Sequence, residues 1–137
     1  MLLGFLVGCN QKSNNVDDLN KDKINEEDIY ITESYTSCID PKENQYIRNT
    51  VFDDNNCESV IVFMTRIVNA TDKTTVKMVW IYNNTTILEK TTTENLSINQ
   101  YPSSSYVEPE NGYLKGKYTI KVYIDNIYNK SFEFTKN

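Results

Sequence analysis

Alternation with a period of two is what most confines this chain. Val76, Met78, Trp80 and Tyr82 recur at every second position, as do Tyr118, Ile120, Val122 and Ile124, and Phe132 and Phe134 repeat the pattern near the end. Successive side chains of a strand point to opposite faces, so each set lines one face of an extended segment. Asn, Asp, Thr and Gly clusters separate these β-branched and aromatic runs, which reads as short strands at regular spacing. The pattern predicts seven strands, near Ile29–Ser34, Tyr46–Phe52, Ser59–Val68, Thr75–Tyr82, Thr86–Thr93, Gly116–Asp125 and Tyr128–Thr135. Asn83-Asn84 and Asp125-Asn126 are the expected hairpin turns, because Asn and Asp tolerate positive φ. From Asn95 to Gly112, through Pro102, Ser103-Ser104-Ser105 and Pro109, no period is visible, and an irregular loop with solvent-exposed serines is expected. No internal repeat or amphipathic helix stands out.

The expected fold class is therefore all-β, an antiparallel β-sandwich of about seven strands over residues 28–137. Asn69-Ala70, Thr75, Trp80 and Tyr82 are followed by Gly116-x-Tyr118-x-Ile120-x-Val122-Tyr123-Ile124-Asp125 and Phe132-x-Phe134. Over roughly the last 80 residues this resembles the immunoglobulin-like sandwiches of bacterial surface proteins. The Cys…Trp…Cys order of antibody domains is absent, since Cys38 and Cys57 both precede Trp80. Such a fold implies no activity by itself.

The chain opens on an apolar run that ends at Leu6-Val7-Gly8-Cys9 and gives way at once to the polar stretch Asn10–Asn15. This resembles a bacterial lipobox. The resemblance implies a residual signal segment at residues 1–8, acylation of Cys9 as the first mature residue, and a place on the bacterial cell envelope, with the membrane as a partner through the lipid anchor. The apolar run is at or below the usual 7 to 15 residues and lacks a basic start, which points to a start codon further upstream. The alternative is a chance apolar leader with a buried free cysteine. A spanning helix is excluded, because it needs roughly 20 apolar residues. Acyl chains, at about 0.8 kcal/mol per buried methylene, would hold the protein on a bilayer. Residues 9–27 read as a disordered, lipidated tether, since Val16, Leu19 and Ile24 offer too little apolar surface to offset the entropy of ordering. A short surface helix over Val16–Glu27 is the alternative there. Cys38 and Cys57 remain as an even pair, read either as a disulfide suited to an oxidising compartment or as two small buried thiols.

A net charge of -5 without any basic stripe argues against nucleic acid as a partner. The chain has no histidine, the commonest general base, and Ser103–Ser105 read as turn residues rather than nucleophiles. Asp53, Asp54 and Glu58 lack the spacing of a calcium loop and read as a solvated acidic turn. No cofactor, metal site or catalytic residue is expected.

What the alternation leaves over is apolar residue on the wrong side. If Ile61, Phe63, Thr65 and Ile67 face the core, then Val60, Val62, Met64 and Val68 face outward, as do Val79, Ile81 and Tyr123. Such a patch marks a protein contact, and ten tyrosines suit a protein or glycan ligand. The alternative is a cover formed by the tether, the first strand or the loop after the fifth strand. Tyr101, Tyr106 and Tyr113 in that loop are further candidate contacts. The expectation is a lipid-anchored binding module of the envelope without catalysis. Its rivals are a hydrolase or hydrolase inhibitor, the inhibitor presenting Tyr101–Tyr113 as a rigid loop, and a glycan-binding module with flat exposed rings.

Overall fold

The computed structural model describes residues 28–93, 96, 101–105 and 112–137. Cys9, the tether at residues 9–27 and Tyr106 lie outside them. Nine strands follow one another as β1 (Tyr30–Asp40), β2 (Gln45–Arg48), β3 (Val51–Phe52), β4 (Val62–Val68), β5 (Val76–Tyr82), β6 (Thr85–Thr92), β7 (Ser103–Ser105), β8 (Gly116–Ile124) and β9 (Ile127–Lys136). They form two sheets, a four-stranded one in the order β2-β1-β4-β7 and a five-stranded one in the order β3-β9-β8-β5-β6. Every pairing is antiparallel except β3 with β9.

The two predicted hairpins form as the asparagines dictate. Asn83 and Asn84 join β5 to β6 at φ 48° and 60°, and Asp125 and Asn126 join β8 to β9 at 49° and 65°. Positive φ at both central residues gives the turn whose twist matches the strands it connects. Asp125 also accepts the Thr75 backbone N–H at 2.8 Å, which fixes the start of β5 against the β8-β9 turn.

The sandwich interior is where alternation places it. Val76, Met78 and Trp80 of β5, Tyr118, Ile120, Val122 and Ile124 of β8, Phe134 of β9 and Ile61, Phe63, Thr65 and Ile67 at β4 are all buried, with Tyr82 and Phe132 half-buried against them. Trp80 meets Phe134 edge-on with ring centroids 5.6 Å apart, and Phe134 stacks on Tyr118 at 4.8 Å. Phe63 and Phe132, at 5.5 Å, join one sheet to the other. Tyr82 lies close over Gly116, where φ is 133° and an added Cβ would come within 3.3 Å of the ring, so a side chain there would be strained as well as crowded.

Three segments depart from the sequence expectation. The first strand does not stop at Ser34 but runs to Asp40, because Thr36 and Cys38 face the core and Thr36 Oγ1 donates to the Asn49 carbonyl. The single strand expected at Tyr46–Phe52 is two: β2 pairs with β1, then the chain crosses at Asn49-Thr50 and β3 pairs with β9 in the other sheet. Asn49 holds that crossing, its side-chain oxygen accepting the Thr50 and Val51 N–H groups at 2.8 and 3.2 Å. The serines are not an exposed loop, since Ser103–Ser105 form β7 and Ser104 is buried. Its hydroxyl accepts the Trp80 Nε1–H at 2.9 Å and lies 3.1 Å from Met78 Sδ. An indole buried at the centre needs a partner for its N–H, and the serine supplies it.

Cys38 and Cys57 form a disulfide with Cα atoms 5.3 Å apart. It ties β1 to the loop that follows β3, next to the hydrogen bond from Glu58 N to the Ile39 carbonyl.

Candidate functional site

The outer face of the four-stranded sheet carries a concave, mainly apolar surface. Pairing of Ser37 with Arg48 and Val62, of Tyr35 with Met64, and of Ile39 with Tyr46 brings these side chains to one side of the sheet. Tyr35, Ser37, Tyr46, Arg48, Val62 and Met64 line a groove of about 380 Å³. Tyr46 stands 58% exposed at its rim. The Tyr35 hydroxyl lies 2.9 Å from Met64 Sδ, and its ring supports the Arg48 guanidinium with Cζ 3.6 Å from the centroid. Arg48 Nη1 donates to Glu33 Oε1, and this hydrogen bond, more than any other influence, holds the guanidinium pKa above its ordinary value. The tyrosine and arginine are thus fixed in place by each other rather than waving in solvent.

Further along the same face, Arg66 of β4 is the direct cross-strand neighbour of Glu33 and lies 5.6 Å from the centroid of Tyr101, itself 42% exposed. At the open side of the sandwich, Lys90 of β6 donates to the Ser103 carbonyl of β7 at 2.9 Å. A lysine bridging two edge strands blunts the bare backbone of both.

The sequence-predicted contact residues do not make one patch. Val62, Met64 and Tyr101 share the outer face of the four-stranded sheet. Val79, Ile81 and Tyr123 lie on the outer face of the five-stranded sheet, which points the opposite way across the sandwich. Val79 is only 8% exposed, set between Glu89 of β6 and Lys121 of β8, whose positions adjoin it in the ladder. Tyr123 packs edge-on against Tyr128 at 5.8 Å and beneath Lys77 at 4.7 Å. Tyr113, expected in an exposed loop, is in the core, where its hydroxyl accepts the Ile61 N–H at 3.2 Å. That burial withdraws one end of the loop proposed as an inhibitor's rigid protrusion.

Sequence reasoning missed Tyr35, Tyr46, Arg48 and Arg66 as site residues. The signal was present in part, because Tyr35 and Tyr46 flank the polar turn at Pro41–Asn44, but only the β1-β2 register shows that they and Arg48 share a face. Around the acidic turn, Asp53 accepts the Asn55 and Asn56 N–H groups and Asp54 pairs with Lys136 Nζ at 2.9 Å. Among the described residues no three acidic or cysteine side chains gather as metal ligands.

Two features besides the sheet order bear on the fold family. Trp80 sits on a central strand against the opposite sheet, and the Tyr118 hydroxyl, near the start of β8, donates to the Leu114 carbonyl four residues upstream at 2.7 Å. A tyrosine bonded back in this way marks a corner of immunoglobulin-type sandwiches. An immunoglobulin-like protein from Pseudomonas aeruginosa, known from its crystal structure, superposes with a TM-score of 0.55 over 82% of this chain and 98% of its own, at 10% identity. The fold is immunoglobulin-like. Ile120 stands two residues after Tyr118, where an antibody domain has its second cysteine, so the disulfide at Cys38 and Cys57 is placed differently. No family model and no curated protein matches the chain. Likeness at this identity speaks for the fold alone.

Proposed function

We propose that the protein is a non-catalytic binding module of the bacterial cell envelope, held at the membrane through acylated Cys9 and docking a protein partner on the outer face of its four-stranded sheet. The observation that carries the reading is the groove of Tyr35, Ser37, Tyr46, Arg48, Val62 and Met64. Tyr, Arg and Met are the residues enriched where proteins bury one another, and here they stand on a sheet face that alternation would leave polar. The lipobox resemblance at Leu6-Val7-Gly8-Cys9 supports the location.

Capture from envelope extract of the source cell tests the binding half, using the full chain beside Met64→Lys. A lysine on this half-exposed site keeps its charge in water, so the melting temperature should stay within a few degrees while partner recovery falls sharply. Equal recovery by both proteins would place the partner elsewhere. For the anchor, the full chain behind a complete export signal should take up labelled fatty acid and Cys9→Ser should not. Equal labelling of both rejects the anchor.

A further inference from the structure

Arginine is scarce in this chain, two residues among fourteen basic ones. Both stand on the groove face, Arg48 on β2 and Arg66 on β4, and both flank Glu33. Each lies over a tyrosine ring, Arg48 on Tyr35 and Arg66 on Tyr101. Two guanidinium groups here share one carboxylate, on a protein whose net charge is -5. Asp40, at the far end of β1, directs its carboxylate to the Lys42 and Glu43 N–H groups at 2.8 and 3.1 Å. A guanidinium held over a ring presents a planar fork that matches a carboxylate, which a mobile, strongly hydrated lysine ammonium does not. Glu33 already demonstrates the pairing, engaging Arg48 through Nη1. The Arg48 side chain is 60% exposed, so a second carboxylate has access to it.

We propose that this face binds an acidic segment of another protein, with an Asp or Glu carboxylate paired to Arg48 or Arg66 and an adjoining apolar side chain seated among Tyr46, Val62 and Met64. The inference rests on the binding-face reading above and names the chemistry of the partner. The apolar floor favours a peptide over a sugar acid, since a hydroxyl-rich ligand would bury Val62 and Met64 without satisfying its own donors. Charge density separates the peptide from polyanions. A nucleic acid or an anionic lipid surface meets the negative field of the whole molecule, whereas one or two carboxylates respond mainly to the charges within about 8 Å at physiological salt.

The test is to pan a random dodecapeptide library on the full chain at physiological salt, with the Arg48→Gln/Arg66→Gln variant as counter-target. Selected sequences should be enriched in Asp or Glu next to Leu, Phe or Tyr. A synthetic consensus peptide should lose about tenfold or more in affinity on the double variant, and equally when its acid is changed to the amide. Unchanged melting temperature in the double variant excludes misfolding, because both arginines are exposed. Selected peptides without acidic residues, equal affinity for wild type and variant, or preferred binding of oligogalacturonate or anionic vesicles would overturn the proposal. If the acidic peptides fail while envelope capture still depends on Met64, the binding face survives and only the acidic partner is wrong. If both fail, the face itself is wrong.

Discussion

At the scale of single residues, one hydroxyl decides how the largest side chain packs. Trp80 is fully buried, and its indole N–H has Ser104 as acceptor across the sandwich. Trp80→Ala should cost about 3 to 5 kcal/mol in denaturant unfolding, the range for removing a large buried aromatic. Ser104→Ala, which removes the acceptor and strands the N–H without adding bulk, should cost about 1 to 3 kcal/mol. An unchanged midpoint for Ser104→Ala would mean that the indole finds another acceptor. Trp80 was legible in the sequence because it belongs to a period-2 row. Ser104 was not, because a serine run carries no hydrophobic period and its burial is created by a residue 24 positions earlier. Tyr113 was hidden for a similar reason, a lone aromatic beside Gly112 that reads as loop until its hydroxyl is seen on Ile61.

Titration gives a second residue-scale expectation. Lys136, almost wholly buried, lies 2.9 Å from Asp54, and its hydrogen bond and charge lower the Asp54 pKa below the ordinary 3.8. A carboxylate depressed in the folded state contributes stability that is present above its unfolded pKa and lost as pH falls through the folded value. Asp54→Asn should therefore leave the melting temperature less dependent on pH below about 4 than it is in the wild type, with the two curves running parallel at neutral pH. Identical acid limbs in the two proteins would show that Asp54 is not the group responsible.

Among the elements, the segment from β1 to the start of β4 is the one the sequence resolved least. Strands β4, β5, β6, β8 and β9 fall close to their predicted bounds, β4, β5 and β8 because each is apolar on at least one face, β6 and β9 because the Asn83-Asn84 and Asp125-Asn126 turns fix where they begin. Strand β1 continues through Thr36-Ser37-Cys38, small residues that alternation does not flag, and β2 and β3 are divided by a change of sheet at Asn49-Thr50 that only tertiary pairing reveals. Four of the six groove residues come from β1 and β2, so the site inherited the same blind spot: Val62 and Met64 were legible, while Tyr35, Tyr46 and Arg48 were not. The disulfide closes this segment with a sequence separation of 19. On the chain-entropy model a loop of that length stabilises by about 3 kcal/mol. Cys38→Ala/Cys57→Ala should lose about that much, measured by urea unfolding under oxidising conditions. A loss below 1 kcal/mol would mean that the β1-β2 hairpin and the Glu58–Ile39 hydrogen bond hold the segment without the bridge.

For the whole molecule, the consequence of two sheets back to back is that one sandwich has two unlike outer faces. The five-stranded face spreads Lys77, Glu89, Lys117, Lys121 and Glu133 across its strands, with ion pairs between Lys77 and Glu89 and between Lys117 and Glu133. The four-stranded face gathers the arginines, the exposed tyrosine rings of Tyr46 and Tyr101, and the apolar groove. Sequence alternation detected excess apolar residue on both and could not tell them apart, because the strand order that separates Val62 and Met64 from Val79 and Ile81 is a property of the assembled sheets. In that arrangement the charged side chains surround Val79 on one side, while on the other the groove stays open.

The most direct measurement is site-specific photocross-linking in intact source cells, with benzoylphenylalanine placed at Tyr46 on the four-stranded face or at Thr119 on the five-stranded face. Both positions are on outer faces and should tolerate the substitution. A discrete protein adduct is expected from position 46 that Met64→Lys abolishes, and none from position 119. An adduct from position 119 alone, or from neither position, would contradict the binding-face reading.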